Sequence, residues 1–248
     1  MVKWILFLSA ATLVTASIVS ADNITIYDGI GYTMNGTGGE DNETEPGMIN
    51  NQSWDLESFQ LTGNDLGITA GFDLKDGHPD GYNPNIVLGD IFIDVDGNAE
   101  YGETTNPNVL NFGYEYAVKL NFDDLTYNIY ELNANSILTS AFEYNSPHSD
   151  PFTLLYNVNN PNESVIQGGS GTFSYTDFSG TSHNSIDGID LSCLDPNGTD
   201  FIAHVTMSCG NDNMMGQGST TSVPEPSIIG CLILGLSMLG ITRKRNHR

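Results

Sequence analysis

The stretch Tyr114-Glu115-Tyr116-Ala117-Val118-Lys119-Leu120-Asn121-Phe122, followed by Asp123-Asp124 and a second run from Leu125 to Leu132, decides the fold class. Every second residue from Tyr114 to Phe122 is apolar, so an extended chain here has one apolar face. The pair Asp123-Asp124 is typical of a turn between two strands. The stretch therefore predicts an antiparallel β-hairpin.

Similar short runs recur along the chain between clusters of Asn, Asp, Gly and Pro, and helical periodicity is almost absent. This pattern predicts an all-β fold, an antiparallel β-sandwich or jelly roll, over residues 22–215. Residues 35–52 are predicted to form an irregular polar loop. Further strands are expected at Asn85–Val95, Ile137–Tyr144, Phe152–Val158, Gly171–Phe178 and Phe201–Ser208.

The first residues have the three parts of an export signal. Lys3 supplies the positive charge, Trp4 to Val14 the apolar stretch, and Val19-Ser20-Ala21 the small side chains before a cleavage site. We therefore expect residues 1–21 to be a signal peptide that signal peptidase removes, and the mature chain to begin near Asp22.

The C-terminal end contains a Gly/Ser/Thr-rich segment, residues 216–222, which predicts a linker, and then Val223-Pro224-Glu225-Pro226-Ser227. The apolar run from Ile228 to Ile241 follows, predicted to be a transmembrane helix, and ends at the basic residues Arg243, Lys244, Arg245 and Arg248. As a helix the run spans only about 21 Å, short of the roughly 30 Å of a bilayer core. The basic end should stay in the cytoplasm, so the chain before the run lies across the membrane.

The order of these three C-terminal elements resembles the PEP-CTERM sorting signal of Gram-negative bacteria, over residues 223–248. The resemblance implies that an exosortase of the inner membrane recognises Pro224, Glu225 and Pro226, cleaves nearby, and releases the body to the cell surface or extracellular matrix. Two body segments, Gly89 to Asn98 and Met207 to Asp212, are similar to blocks of uncharacterised proteins with this signal. An ordinary C-terminal membrane anchor is the alternative.

The body is strongly acidic. The chain has a net charge of −24. Between Lys3 and Arg243 the only Lys or Arg residues are Lys75 and Lys119, whereas all 31 Asp and Glu lie in this stretch. Nucleic acid and anionic membrane surfaces are therefore excluded as favourable partners. Hard cations such as calcium are suited to such a surface, and solubility of a surface protein explains the acidity equally well.

Two cysteines remain in the body, Cys193 and Cys209, because Cys231 lies in the sorting segment. In an exported protein this pair predicts a disulfide bond, which would close a short loop. The alternative is a pair of buried free thiols.

Oxygen-bearing side chains concentrate in two places. The first set of side chains predicts a calcium site, because residues at alternate positions of one strand lie on the same face of that strand. The spacing of this set departs from that of an EF-hand loop. Turn formation explains the same residues without an ion. The first set is Asp90, Asp94, Asp96 and Asn98, and a weaker second set is Asp73, Asp76, His78 and Asp80.

The sequence lacks the short motifs of zinc hydrolases and serine hydrolases, and the histidines of the body are expected at loops or strand surfaces. We therefore expect a non-enzymatic protein of the cell surface or of an exopolysaccharide matrix. A carbohydrate-binding β-sandwich that uses Trp54, Tyr82 or Tyr101 is the first alternative. A secreted glycan hydrolase or lyase is the second, since the many carboxylates include possible pairs.

Overall fold

The computed structural model describes residues 20–26, 48–49, 52–78, 85–99, 112–141, 149–155, 165–177 and 183–222. The predicted sorting segment and nearly all of the predicted signal peptide lie outside these ranges, so both stay predictions. Within the ranges, no helix has the length and apolarity needed to cross a bilayer.

Over the described ranges the chain forms strands and one short 3₁₀ turn, Gln52–Trp54. The strands are β1 Asp22–Asn23, β2 Thr25–Ile26, β3 Leu56–Thr62, β4 Asp65–Ala70, β5 Ile91–Asp94, β6 Tyr116–Asn121, β7 Thr126–Glu131, β8 Leu138–Thr139, β9 Thr153–Leu154, β10 Val165–Thr172, β11 Ser174–Thr176, β12 Asn184–Asp190, β13 Asp200–Thr206 and β14 Asn213–Ser219.

These strands build two facing sheets and a small β8–β9 pair, with antiparallel pairing throughout. One sheet has the order β1-β3-β4-β12-β11 and the other the order β10-β7-β6-β5-β13-β14-β2. Phe59 and Ile68 of the first sheet share one buried core with Ile93, Val118 and Val205 of the second. The prediction of an all-β, antiparallel, sandwich-like fold is confirmed.

Both pairs of sheet edges are joined by continuous chain. Strands β1 and β2 lie at one edge of each sheet, and Ile24 between them binds both sheets: its N–H donates to Phe59 O at 3.0 Å and its carbonyl accepts from Gln217 N at 2.8 Å. On the other side β10 passes into β11 through the buried Phe173. A continuous segment therefore links the two sheets on each side of the sandwich.

The predicted hairpin is confirmed as β6 and β7, paired from Tyr116 opposite Glu131 to Asn121 opposite Thr126. Other predicted strands are shorter than expected: only β5 forms within Asn85–Val95, with single bridges at Ile86 and Leu88. Residues 142–144, 156–158 and 178 of three further predicted strands lie outside the described ranges, as does most of the loop predicted at 35–52.

The prediction of a linker from residue 216 is wrong for residues 216–219, which belong to β14. The glycines of this strand provide space for rings of the core. A Cβ at Gly216 would lie 2.9 Å from Cδ2 of Phe59, and one at Gly218 would lie 2.8 Å from Cζ of Phe201. The segment has the composition of a linker because only glycine fits against these two rings.

Among the described residues, the first strand begins and the last strand ends at the same end of the sandwich. Asp22, the first residue of β1, lies opposite Leu61, just before the β3–β4 turn at Gly63 and Asn64. After β14, the backbone of Thr221 forms two hydrogen bonds with the side chain of Asn64 in the same turn. We call this end, with the β3–β4 turn at its tip, the exit pole.

Candidate functional site

An acidic turn follows β5 near the exit pole, and Asp94 organises it. Asp94 is only 2% exposed. Its Oδ1 accepts hydrogen bonds from the N–H groups of Asp96 (3.0 Å) and Gly97 (2.7 Å), and its Oδ2 accepts one from Ala99 (3.0 Å). Gly97 has a φ of +78°, a conformation that favours glycine. The Asp-Gly pair in the sequence thus marks a turn that the Asp94 side chain holds closed.

Glu115 joins this turn from the start of β6. Its N–H donates to Ile93 O at 3.0 Å, and its Oε2 accepts from Val95 N at 2.8 Å. The carboxylate oxygens of Asp94, Asp96 and Glu115 lie within 4.8 Å of one another. Burial raises the pKa of Glu115, and the negative charges of Asp96 and Asp94 raise it further.

The predicted calcium set is therefore brought together only in part. Asp94 and Asp96 are close neighbours and Glu115 joins them, whereas the inclusion of Asp90 is wrong. Asp90 lies before β5, four residues and about 13 Å of extended chain from Asp94, too far to share an ion with it. Its Oδ2 instead accepts hydrogen bonds from Lys119 Nζ (2.7 Å) and Leu154 N (2.7 Å).

Asn98, the fourth predicted ligand, directs its amide nitrogen to Asp96 Oδ2 at 2.8 Å. Chemically, Asp94, Asp96 and Glu115 offer the carboxylate oxygens that a hard cation prefers. Three backbone N–H groups already occupy the Asp94 carboxylate, so much of its capacity is used in holding the turn. Calcium binding at Asp94 and Asp96 stays a prediction.

A cleft of about 230 Å³ opens beside this turn, lined by Asp94 to Gly97 together with Asp200, Phe201, Ile202 and Gln217. The cleft lies at the exit pole, because Asp94 pairs with Ile202 near the start of β13 and Asp200 pairs with Ser219 at the end of β14.

The described members of the second oxygen-rich set, Asp73, Asp76 and His78, do not form a group of converging ligands. Asp73 Oδ1 accepts hydrogen bonds from Lys75 N, Asp76 N (both 2.9 Å) and the hydroxyl of Tyr175 (2.7 Å). The ring of His78 lies against that of Trp54, with centroids 4.1 Å apart. Asp80 lies outside the described ranges. Asp73 is thus the cap of a turn, as Asp94 is.

Of the three aromatic residues proposed for sugar binding, only Trp54 lies within the described ranges. It is half-buried, packs against the main core, and has His78 close to its ring. An exposed platform for a sugar would need an open ring face, which this packing restricts. Tyr82 and Tyr101 lie outside the described ranges.

The prediction of a disulfide between Cys193 and Cys209 is wrong: both are free thiols, Cys193 half-buried and Cys209 buried. Cys193 comes before β13 and Cys209 after it, so they lie near opposite ends of a strand of seven residues. At about 3.3 Å per residue this separation is far beyond the reach of a disulfide.

His204 was expected at a strand surface, and this expectation is wrong, since it is fully buried in β13. Burial lowers the pKa of His204 to about 3, so the ring is neutral at physiological pH. Its ring lies 6.0 Å from that of Tyr114. His204 is therefore a residue of the core.

No protein-family model, curated protein or solved structure matches this chain. The fold and the site define it as an antiparallel two-sheet β domain with an acidic turn at the pole where its ends emerge.

Proposed function

We propose that this chain is an exported protein of the cell surface or extracellular matrix, processed by signal peptidase and an exosortase, and that its β domain acts without catalysis. In this proposal the chain passes through the inner membrane of a Gram-negative bacterium, is held there briefly by its C-terminal segment, and is then released. Its partner outside the cell is the extracellular polysaccharide.

The exit pole is the observation that carries the proposal. The first strand begins at Asp22, where the predicted leader ends, and the last strand of the described residues, β14, ends at Ser219, four positions before the Val223 to Ser227 motif. Because the domain begins and ends at one pole, both flanking segments can lie in one membrane while the domain stands on one side of it. A domain whose ends emerged at opposite poles would have to lie flat to do the same.

The charges of the described residues support the same proposal. Lys119, one of the two basic residues of the body, is committed to Asp90 and to Leu154 O (2.9 Å). Apart from Lys75, the other Lys, Arg, Asp and Glu side chains of the described residues are all carboxylates, which keep a protein soluble and repel anionic membranes after release.

Processing can be tested in a strain that makes the protein with and without its exosortase. We expect full-length protein in the inner membrane of the exosortase deletion strain and trimmed protein at the surface of the parent. A variant with Pro224→Ala and Pro226→Ala should accumulate like the deletion, whereas Ser222→Ala, just before the motif, should be processed normally. Correctly trimmed protein in the medium of the deletion strain would overturn the proposal.

A further inference from the structure

A second and larger groove lies near the exit pole, between the two sheets. It has a volume of about 670 Å³, within the range of small-molecule sites. Tyr116 of β6 and Glu131 of β7, directly opposite in the strand register, contribute to its wall, so their side chains are neighbours on one face. The groove is lined by Tyr116, Glu131, Ile166, Gln167, Gly168, Asp190, Ser192, Cys193 and Pro196.

An irregularity in β10 shapes one wall. The pairing of β10 with β7 shifts register between Val165 and Ser170, and Gly168 in this interval has a φ of +80°. A Cβ on Gly168 would lie 3.5 Å from that of Cys193 on the opposite wall. Bulges of this kind redirect side chains and are common beside binding sites.

The lining of the groove includes the carboxylates of Glu131 and Asp190 and no Lys, Arg or His. Asp190 lies directly opposite Asp65 on β4, an arrangement of like charges that costs stability. Burial and the charge of Asp190 raise the pKa of Asp65. Among the described residues the only Lys and Arg are Lys75, in the turn after β4, and Lys119, which binds Asp90.

Tyr116 supplies a phenol hydroxyl on the same face as the Glu131 carboxylate, so a hydrogen-bond donor lies beside an acceptor. Gln167 and Ser192 add an amide and a hydroxyl, whereas Ile166 and Pro196 are the aliphatic side chains of the lining.

We propose that this groove binds a short stretch of a glycan that carries free amines, such as a polymer of hexosamine units. Glu131 and Asp190 would bind the ammonium groups, and Tyr116, Gln167 and Ser192 would bind sugar hydroxyls. The phenol, amide and hydroxyl groups of Tyr116, Gln167 and Ser192 favour a sugar over a basic peptide, whose lysine side chains bring ammonium groups but no hydroxyls. The inference rests on the proposed function, since it names the polymer that an exported matrix protein would hold.

The test is isothermal titration of the purified full chain at about pH 6, where amines are charged and exposed carboxylates are ionised. The ligands are the glucosamine trimer, the N-acetylglucosamine trimer and trilysine. We expect the glucosamine trimer to bind most tightly. Glu131→Gln and Asp190→Asn should each weaken its binding about tenfold, because each removes a charge-assisted hydrogen bond.

The matched control is Asp123→Asn, which removes one exposed charge from the opposite end of the same hairpin and should leave binding unchanged. None of the variants should melt below the parent, and Asp190→Asn should melt slightly above it, because it removes the repulsion from Asp65. Equal binding of the acetylated trimer would overturn the role of the amine, and trilysine binding as tightly as the sugar would overturn the choice of glycan. No binding, or equal loss in Asp123→Asn, would overturn the site. Glu131→Gln should be processed normally in cells, so a failure here is distinct from a failure of the proposed function.

Discussion

The side chain of Asn64 binds the backbone of Thr221 on both sides. Its Oδ1 accepts from Thr221 N at 2.7 Å, and its Nδ2 donates to Thr221 O at 3.1 Å. One turn thereby fixes the last residues before the predicted sorting motif, although Asn64 and Thr221 are 157 positions apart.

Replacing Asn64 with alanine should release this end of the domain. We expect a loss of about 1 kcal/mol in the free energy of unfolding, since both bonds are exposed. Hydrogen exchange should show faster exchange of the Thr221 amide. Asn135→Ala, in an exposed turn elsewhere, should change neither quantity, and unchanged Thr221 exchange in Asn64→Ala would contradict the prediction.

Gly216→Ala should destabilise the protein by about 1 to 3 kcal/mol in urea denaturation, because the new methyl group would press on the ring of Phe59. The double variant with Phe59→Leu should lose less than the sum of the two single losses, because the smaller side chain leaves room. Additive losses would show that the ring is not what restricts Gly216.

Lys119→Met should cost about 2 kcal/mol, because it leaves the buried Asp90 carboxylate without its cation. A loss of stability half as large would still be measurable by thermal or urea unfolding. The control is Lys75→Met at an exposed position, for which we expect a change within about 0.5 kcal/mol. Equal effects of the two variants would mean that the Asp90 contact does not stabilise the fold.

Glu115→Gln should stabilise the protein at neutral pH. The pKa of Glu115 is raised in the folded state, so its carboxyl group favours folding below its unfolded pKa of about 4.5 and loses that contribution as pH rises through the folded pKa. The neutral amide removes repulsion from Asp96 and Asp94 and can still accept from Val95 N. Melting temperature should therefore exceed that of the parent at pH 7, and the difference should shrink towards about pH 4. Asp123→Asn, with the same loss of charge on an exposed turn, should show a smaller gain.

Both body cysteines should react with an alkylating reagent in denaturant without prior reduction, and peptide mapping should find Cys193 and Cys209 labelled. In the native protein Cys209 should be protected by burial. Cys193 should react slowly and faster as pH rises, because burial and the charge of Asp190 raise its pKa. A mapped peptide in which Cys193 is joined to Cys209 would show that the two residues form a disulfide and are not free thiols.

The sequence predicts best the strands whose two faces differ in polarity. The β6–β7 hairpin alternates strictly, and an aspartate pair marks its turn, so both strands and their register are readable. Strand β14 has no such pattern, because its inward positions include glycines that fit against Phe59 and Phe201 of other strands. The space that those rings occupy is a tertiary property, and composition alone suggests a linker.

The sequence predicts only that part of the candidate site whose residues lie in one continuous segment. Asp94, Asp96 and Gly97 lie together in the sequence and form one turn. Glu115 joins them because Ile93 O pairs with its N–H across two strands. The assignment of Asp90 to the calcium set was wrong because alternation indicates on which face of a strand a residue lies but not whether two residues on that face are close enough to share an ion. A tertiary partner, Lys119, decides its role.

The shared position of the two chain ends also determines how the domain would respond to mechanical tension. A pull between Asp22 and Thr221 acts across the strands, because both ends leave from the exit pole. Hydrogen bonds of β1 and β14 would then be loaded one after another, in an unzipping geometry, rather than all together in shear. The domain would therefore yield at a lower force than one whose strands were loaded in shear.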